Sequence, residues 1–184
     1  MFEVDVAGID GWVPLRVDLT GDALVADIRD RIPNHDPSTW HLLASLADRG
    51  QSEGTETPPL LATWARIPNP DQIVPDTLAR LSLVPAAPEA TAQDVAESLF
   101  DGSELHRPIS YTTLNTESGE STAFEALTLA NEADGSTFTA TYGVIWVGFA
   151  SGEALLLTAS TVDLVGGNAW RPEFLQLASG VAGY

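Results

Sequence analysis

Apolar and polar positions change period along this chain, and the changes mark its elements. Phe2, Val4 and Val6 alternate with Glu3, Asp5 and Ala7; the run breaks at Ile9–Asp10–Gly11 and resumes in WVPLRVDL, the pattern of two antiparallel strands. Pro14 falls inside the second of these and has no N–H for a ladder, so its strand belongs at a sheet edge or a bulge. From Thr20 the period becomes helical: Leu24, Ile28 and Ile32 recur every fourth residue, Asp22 favours the N-terminal end of the dipole, and Pro33 stops the helix. A second helix is expected in DPSTWHLLASLADRG. Asp36 is suited to the N-cap and Pro37 to the first turn; Trp40, Leu43, Ala44 and Ala47 share a face, and Gly50 marks the position past the end.

The polar, breaker-rich QSEGTETPP over 51–59 reads as a loop. Beyond it, LLATWARI and TLARLSLV read as strands, and TAQDVAESLFDG as a helix capped by Thr91 with Asp94 three residues on, a weaker relative of the capping box. Ala92, Val95, Ala96 and Leu99 form the face that helix is expected to bury. ELHRPISYTTL, TAFEALTLA, STFTATYGVIWVGF and EALLLTAST then follow as strands joined by the turn-like segments NEADG and ASGE, an antiparallel meander. In the last segment Pro172 is expected to open a helix whose Phe174, Leu177, Ala178 and Val181 lie on one stripe.

The most apolar window, TYGVIWVGFASGEALLLTAST (Thr141 to Thr161), bears on membrane insertion and on layering. A membrane helix needs about 20 predominantly apolar residues, whereas this window contains Gly143, Gly148, Ser151, Gly152 and Glu153. It reads instead as a hairpin. Its first strand alternates around Phe138 to Tyr142 and then turns apolar on both faces through Val144, Ile145, Trp146, Val147 and Phe149, as a strand does when it is covered above and below. The fold class expected is therefore α+β: an antiparallel sheet with helices on both faces, an αβα sandwich, with residues 1–184 as a single domain. Strands and helices too few for two cores, and no internal repeat, support that count.

The hairpin TFTATYGVIWVGFASGEALLLTAST, the short connection VDLVGGNAW and the terminal helix RPEFLQLASGV together resemble the ending of the Mog1/PsbP-like superfamily. The likeness rests on the order of elements, not on a diagnostic motif. It implies a three-layer αβα sandwich used for binding or assembly, since members include a small-GTPase-binding protein, photosystem II accessory proteins and actinobacterial secreted lipoproteins, and it implies no shared catalytic set. The absence of cysteine leaves no lipobox, which departs from the lipoprotein members. The Ala-, Asp- and Gly-rich composition, with Arg and no Lys as its basic residues, fits an actinobacterial relative.

Charge narrows the partners. Twenty-six acidic side chains against eight basic ones give a formal net charge of -18, and all the basic residues are Arg. Such a field repels phosphate backbones and anionic lipid, and no arginine cluster overcomes it locally, so nucleic acid and membrane partners are not expected. Solubility is the first reading of so much acid; the sharper one is an acidic face for a basic protein partner. The acidic start MFEVDVAGIDG has neither a basic n-region nor an apolar stretch, so the expected location is cytoplasmic.

The densest local chemistry is PNHDPSTWH, with His35, Asp36, Ser38 and His41. Six residues separate the histidines, which places them on different helical faces, no third zinc ligand has a matching spacing, and Asp36 and Ser38 are what capping alone selects. His106 stands alone in a strand. The pair at Gly166 and Gly167 lacks the context of a dinucleotide site, and without Lys there is no Schiff-base or phosphate-loop lysine. The reading is thus non-enzymatic: no catalytic, cofactor-binding or metal residue is singled out, no cofactor is expected, and partner-binding residues and oligomeric state are left open. Function is expected to be a protein-interaction or assembly module with an acidic surface. The alternative is a small apolar-ligand carrier with a pocket between sheet and helices, walled by some of Trp12, Trp40, Trp64, Trp146 and Trp170, although such residues more often fill cores. The 51–59 loop and the acidic turns around Glu117 and Glu132 are further candidate contacts.

Overall fold

The structure, a computed structural model, describes residues 9–52, 59–132, 135–148 and 152–181. Eleven elements follow in order: β1 (Trp12–Leu15), α1 (Gly21–Arg31), α2 (Pro37–Ser52), β2 (Leu60–Arg66), β3 (Thr77–Pro85), α3 (Ala92–Ser98), β4 (Ser110–Thr116), β5 (Gly119–Glu132), β6 (Gly135–Trp146), β7 (Glu153–Thr161) and α4 (Leu164–Ser179). The seven strands form one sheet in the order β1-β2-β3-β7-β6-β5-β4, with every neighbouring pair antiparallel. The chain is therefore an α+β protein. The expected strand over Phe2 to Val6 lies outside the described residues, as do Phe149 and the middles of the NEADG and ASGE turns.

Side-chain alternation sorts the core into three clusters. Trp12, Trp64, Leu81, Tyr142, Val144, Trp146, Leu155 and Leu157 pack with Trp170, Phe174, Leu177 and Ala178 of α4. Val13 and Leu15, the residues of β1 between and beyond those positions, pack with Leu24, Ile28, Leu43, Ala44 and Ala47 of α1 and α2. Ile145, Phe124, Ala154 and Leu156 pack with Ala92, Val95 and Ala96 of α3. Along β6, then, Val144 and Trp146 meet α4 while Ile145 meets α3, and all three are buried. That two-sided burial is the physical source of the apolar run in the sequence. Burying one such large apolar side chain contributes roughly 1.5–3 kcal/mol.

Pro14 sits in β1, at one end of the described sheet, opposite Trp64 of β2. Of the expected stripe, Phe174, Leu177 and Ala178 are buried on α4, while Val181 is buried just past the Gly180 cap, outside the helix. Several boundaries differ. β1 ends at Leu15 rather than Leu19, α3 at Ser98 rather than near Gly102, and β5 begins at Gly119. β6 ends at Trp146, leaving Val147 beyond the strand and exposed, so the apolar run is covered on both faces only as far as Trp146. α2 runs through Gly50 to Ser52, since the Gly is tolerated where the preceding apolar face is already packed. β4 begins at Ser110 and not near Glu104: Leu105 makes only an isolated bridge to Thr128, and Pro108 interrupts the ladder. α4 begins at Leu164, with Asp163 as N-cap, so Pro172 lies inside the helix and does not open it. Leu99, expected on the buried face of α3, instead caps the helix and is exposed.

Candidate functional site

The residues of PNHDPSTWH serve the start of α2. Asp36 accepts a hydrogen bond at Oδ1 from the Ser38 N–H at 2.7 Å, and its carbonyl accepts one from the Thr39 N–H at 2.9 Å. The Ser38 amide holds the Asp36 carboxyl below its ordinary value, as expected of a carboxylate stabilised by a donor. The histidines are not brought together. His35, whose ring nitrogens are buried and without hydrogen-bond partners, borders a cavity of about 530 Å³ lined by Ile9, Trp12, Pro14, Arg31, Ile67 and Pro68 among others. His41 is exposed and borders a separate groove of about 340 Å³ between α1 and α2. Among the described residues no group of three or more His, Asp or Glu side chains is placed to hold a metal ion. His106 packs its ring edge-on against Phe138, with centroids 4.9 Å apart, and its backbone N–H donates to the Leu127 carbonyl.

The tryptophans are distributed through the core. Trp12, Trp64, Trp146 and Trp170 are buried, and Trp40 is partly buried with its indole N–H donating to the Ile32 carbonyl at 3.1 Å. Trp12, Trp170, Phe174 and Tyr142 form one aromatic cluster, with Trp170 edge-on to both Trp12 and Tyr142. The cavity beside His35 is bordered by one tryptophan, Trp12, and a third cavity, of about 340 Å³, by Trp170 together with Arg66, Asp76, Thr161, Asp163, Gly166 and Ala169.

Arg66, which lines that third cavity, is the centre of the most buried ion-pair network among the described residues and is not visible as such in the sequence. Its Nε and Nη2 reach Glu173 of α4 at 2.8 and 3.2 Å, and its Nη1 pairs with Asp76 ahead of β3. Burial works against the guanidinium charge, but the hydrogen bonds and charge of Glu173 and Asp76 outweigh it and hold the pKa above its ordinary value. The contact spans 107 residues of sequence, which is why local pattern does not reveal it.

Most of the other arginines are also matched by carboxylates of the same chain. Arg16 pairs with Asp18, Arg29 with Asp30, Arg31 with Asp27, and Arg107 and Arg171 both with Glu125. With Arg66, six of the eight arginines pair with the chain's own carboxylates, and the other two, Arg49 and Arg80, are exposed. Around α3 and β4 the acid stands out. Burial, together with the charges of Glu97 and Asp94 on α3, raises the pKa of Tyr111, whose hydroxyl is buried without a partner. Glu117 and Glu120 are exposed at the β4–β5 turn. Residues 53–58 of the expected loop, and the Glu132 side chain, lie outside the described set.

The chain matches no protein-family model, and no curated protein matches it significantly.

Proposed function

We propose that the chain is a non-catalytic protein-interaction or assembly module that recognises a basic protein through its acidic surface, on a three-layer αβα sandwich of the Mog1/PsbP-like kind. The observation that carries this reading is the charge distribution: a net charge of -18, with six of the eight arginines held by the chain's own carboxylates. A surface so uncompensated attracts and orients a cationic partner and repels nucleic acid and anionic membrane. The packing of α3 on Ile145 and of α4 on Val144 and Trp146 supports the layered arrangement. No described helix is long and apolar enough to cross a membrane.

The test is affinity capture on the immobilised chain at about 0.05 M salt followed by a salt gradient. A basic protein that binds directly and is released well below about 1 M salt is the expected result. A partner retained at high salt, or an acidic one, counts against the electrostatic reading.

A second reading, a small apolar-ligand carrier, would seat its ligand in the groove beside His35, which is open to solvent and bordered by Trp12 together with Asp10 and Arg31. The groove's volume of about 530 Å³ lies in the range of ligand sites, roughly 300–1,000 Å³. Native mass spectrometry of the purified chain decides between them: a retained small molecule supports the carrier, and the bare chain mass opposes it.

A further inference from the structure

The two terminal strands of the described sheet are finished differently. β1 carries Pro14, which has no N–H to offer. β4, at the other end, is Ser-Tyr-Thr-Thr-Leu-Asn-Thr over residues 110–116: seven residues with neither proline nor charge, rich in β-branched and aromatic types. Edge strands are usually blunted by charge, proline or a bulge, because alternate N–H and C=O groups point outward and can pair with another strand. From Ser110 to Thr116 the register with β5 is unbroken, so β4 carries no bulge as well as no charge. Among the described residues it pairs with β5 alone.

The strand is also held rigidly from both faces. Tyr111 packs into the α3 cluster and Leu114 into the α4 cluster. Thr116 accepts a hydrogen bond from the Trp146 indole at 2.8 Å, and just past the strand the Glu117 N–H donates to the Ser179 carbonyl of α4. A template fixed in this way loses little entropy when a second strand pairs with it.

Charge selects the occupant. Tyr111 packs against the Ala92, Val95 and Ala96 face of α3, which also carries exposed Asp94 and Glu97, and exposed Glu117 and Glu120 lie at the end of the strand. The cation nearest in sequence, Arg107, is bound to Glu125. We infer that the outer edge of β4 accepts an extended basic segment of a partner protein as an eighth strand, with alternate cationic side chains toward Asp94 and Glu97. A second copy of this chain, carrying the same charge of -18, is disfavoured at that edge. This inference rests on the acidic-module reading and names the surface and the mode of binding.

The probe is an acetylated heptapeptide alternating lysine with valine or threonine. Its controls are two versions of identical charge, N-methylated at every second residue in either register, so that one of them cannot hydrogen-bond to the sheet. Binding is measured with the full chain at about 0.05 and 0.3 M salt, alongside hydrogen–deuterium exchange. The expected result is slowed exchange within Ser110 to Thr116, affinity that falls with salt, and roughly tenfold or greater weakening in one methylated version. Equal binding by all three peptides, or protection elsewhere, overturns the β4 assignment while leaving the acidic-module reading in place. Binding by none at low salt overturns both. Exchange of β4 that slows with rising concentration of the free chain places a second copy there and overturns the assignment.

Discussion

Gly143 of β6 faces Phe124 of β5 across the ladder, and the Phe124 ring lies over the glycine: a Cβ at position 143 would stand 2.1 Å from Cε1 of that ring. Gly143→Ala therefore forces the ring out of the α3 cluster. It is expected to lower unfolding free energy by about 1–3 kcal/mol, the usual cost of overpacking. Combining it with Phe124→Leu should cost less than the sum of the two single changes in urea denaturation; strict additivity would show that the ring is not what excludes the methyl. This pairing is invisible in the sequence because it depends on cross-strand register. The caps are legible, because both partners sit within a few residues. Thr91 and Asp94 form the full capping box: Thr91 Oγ1 accepts from the Asp94 N–H, and the Asp94 carboxylate accepts from the Thr91 N–H at 2.8 Å. Thr91→Ala should destabilise by about 1 kcal/mol. The hydroxyl and then the amide of Thr91 hold the Asp94 pKa below its ordinary value, and Asp36 is lowered likewise by Ser38. Groups with depressed folded pKa values stabilise above the ordinary carboxylate range, and their contribution is lost as pH falls through the folded values. Unfolding followed from pH 6 downward should thus be less acid-dependent in Asp94→Asn than in the parent.

At the scale of elements, α4 shows where local rules misread the chain. Two glycines followed by a proline read as a connection and then a helix start, yet the helix runs on both sides of Pro172. Gly167 is there for close approach: a Cβ would come within 2.7 Å of Thr161 Cγ2 and 3.3 Å of the Tyr142 hydroxyl, so glycine lets the first turns of α4 lie against β7 and β6. Trp170, one residue before Arg171 and buried against Trp12 and Tyr142, then holds the segment helical. Packing of that kind outweighs an interior proline, whose cost in a helix is about 3 kcal/mol. Pro172→Ala should recover part of this and raise the thermal midpoint; an unchanged or lower midpoint would mean that the helix is already relaxed around the proline. The four strands of the meander, by contrast, were legible as strands, since period-2 alternation and turn residues are local, although the bounds of β4, β5 and β6 were not. β7 matches its expected span over Glu153–Thr161.

For the whole molecule, charge dominates. At -18 the folded chain repels itself, and the six matched arginines are mostly exposed pairs of small individual worth. Raising salt from about 0.01 to 0.15 M shortens the screening length from about 30 to 8 Å, so the melting temperature at neutral pH should rise; a fall would show that the ion pairs outweigh the net repulsion. The sequence by itself determined the α+β class, the helix stripes, the N-caps at Asp36 and Thr91, the apolar hairpin and the acidity, because each is set by neighbours within about one turn or one strand, or by composition. Only the tertiary structure decided the strand order, the Arg66–Asp76–Glu173 network, and the place of β4 at the sheet's edge. Those depend on which distant segments meet, and in a sheet that is settled by packing and register over many residues, not by any residue's own preference.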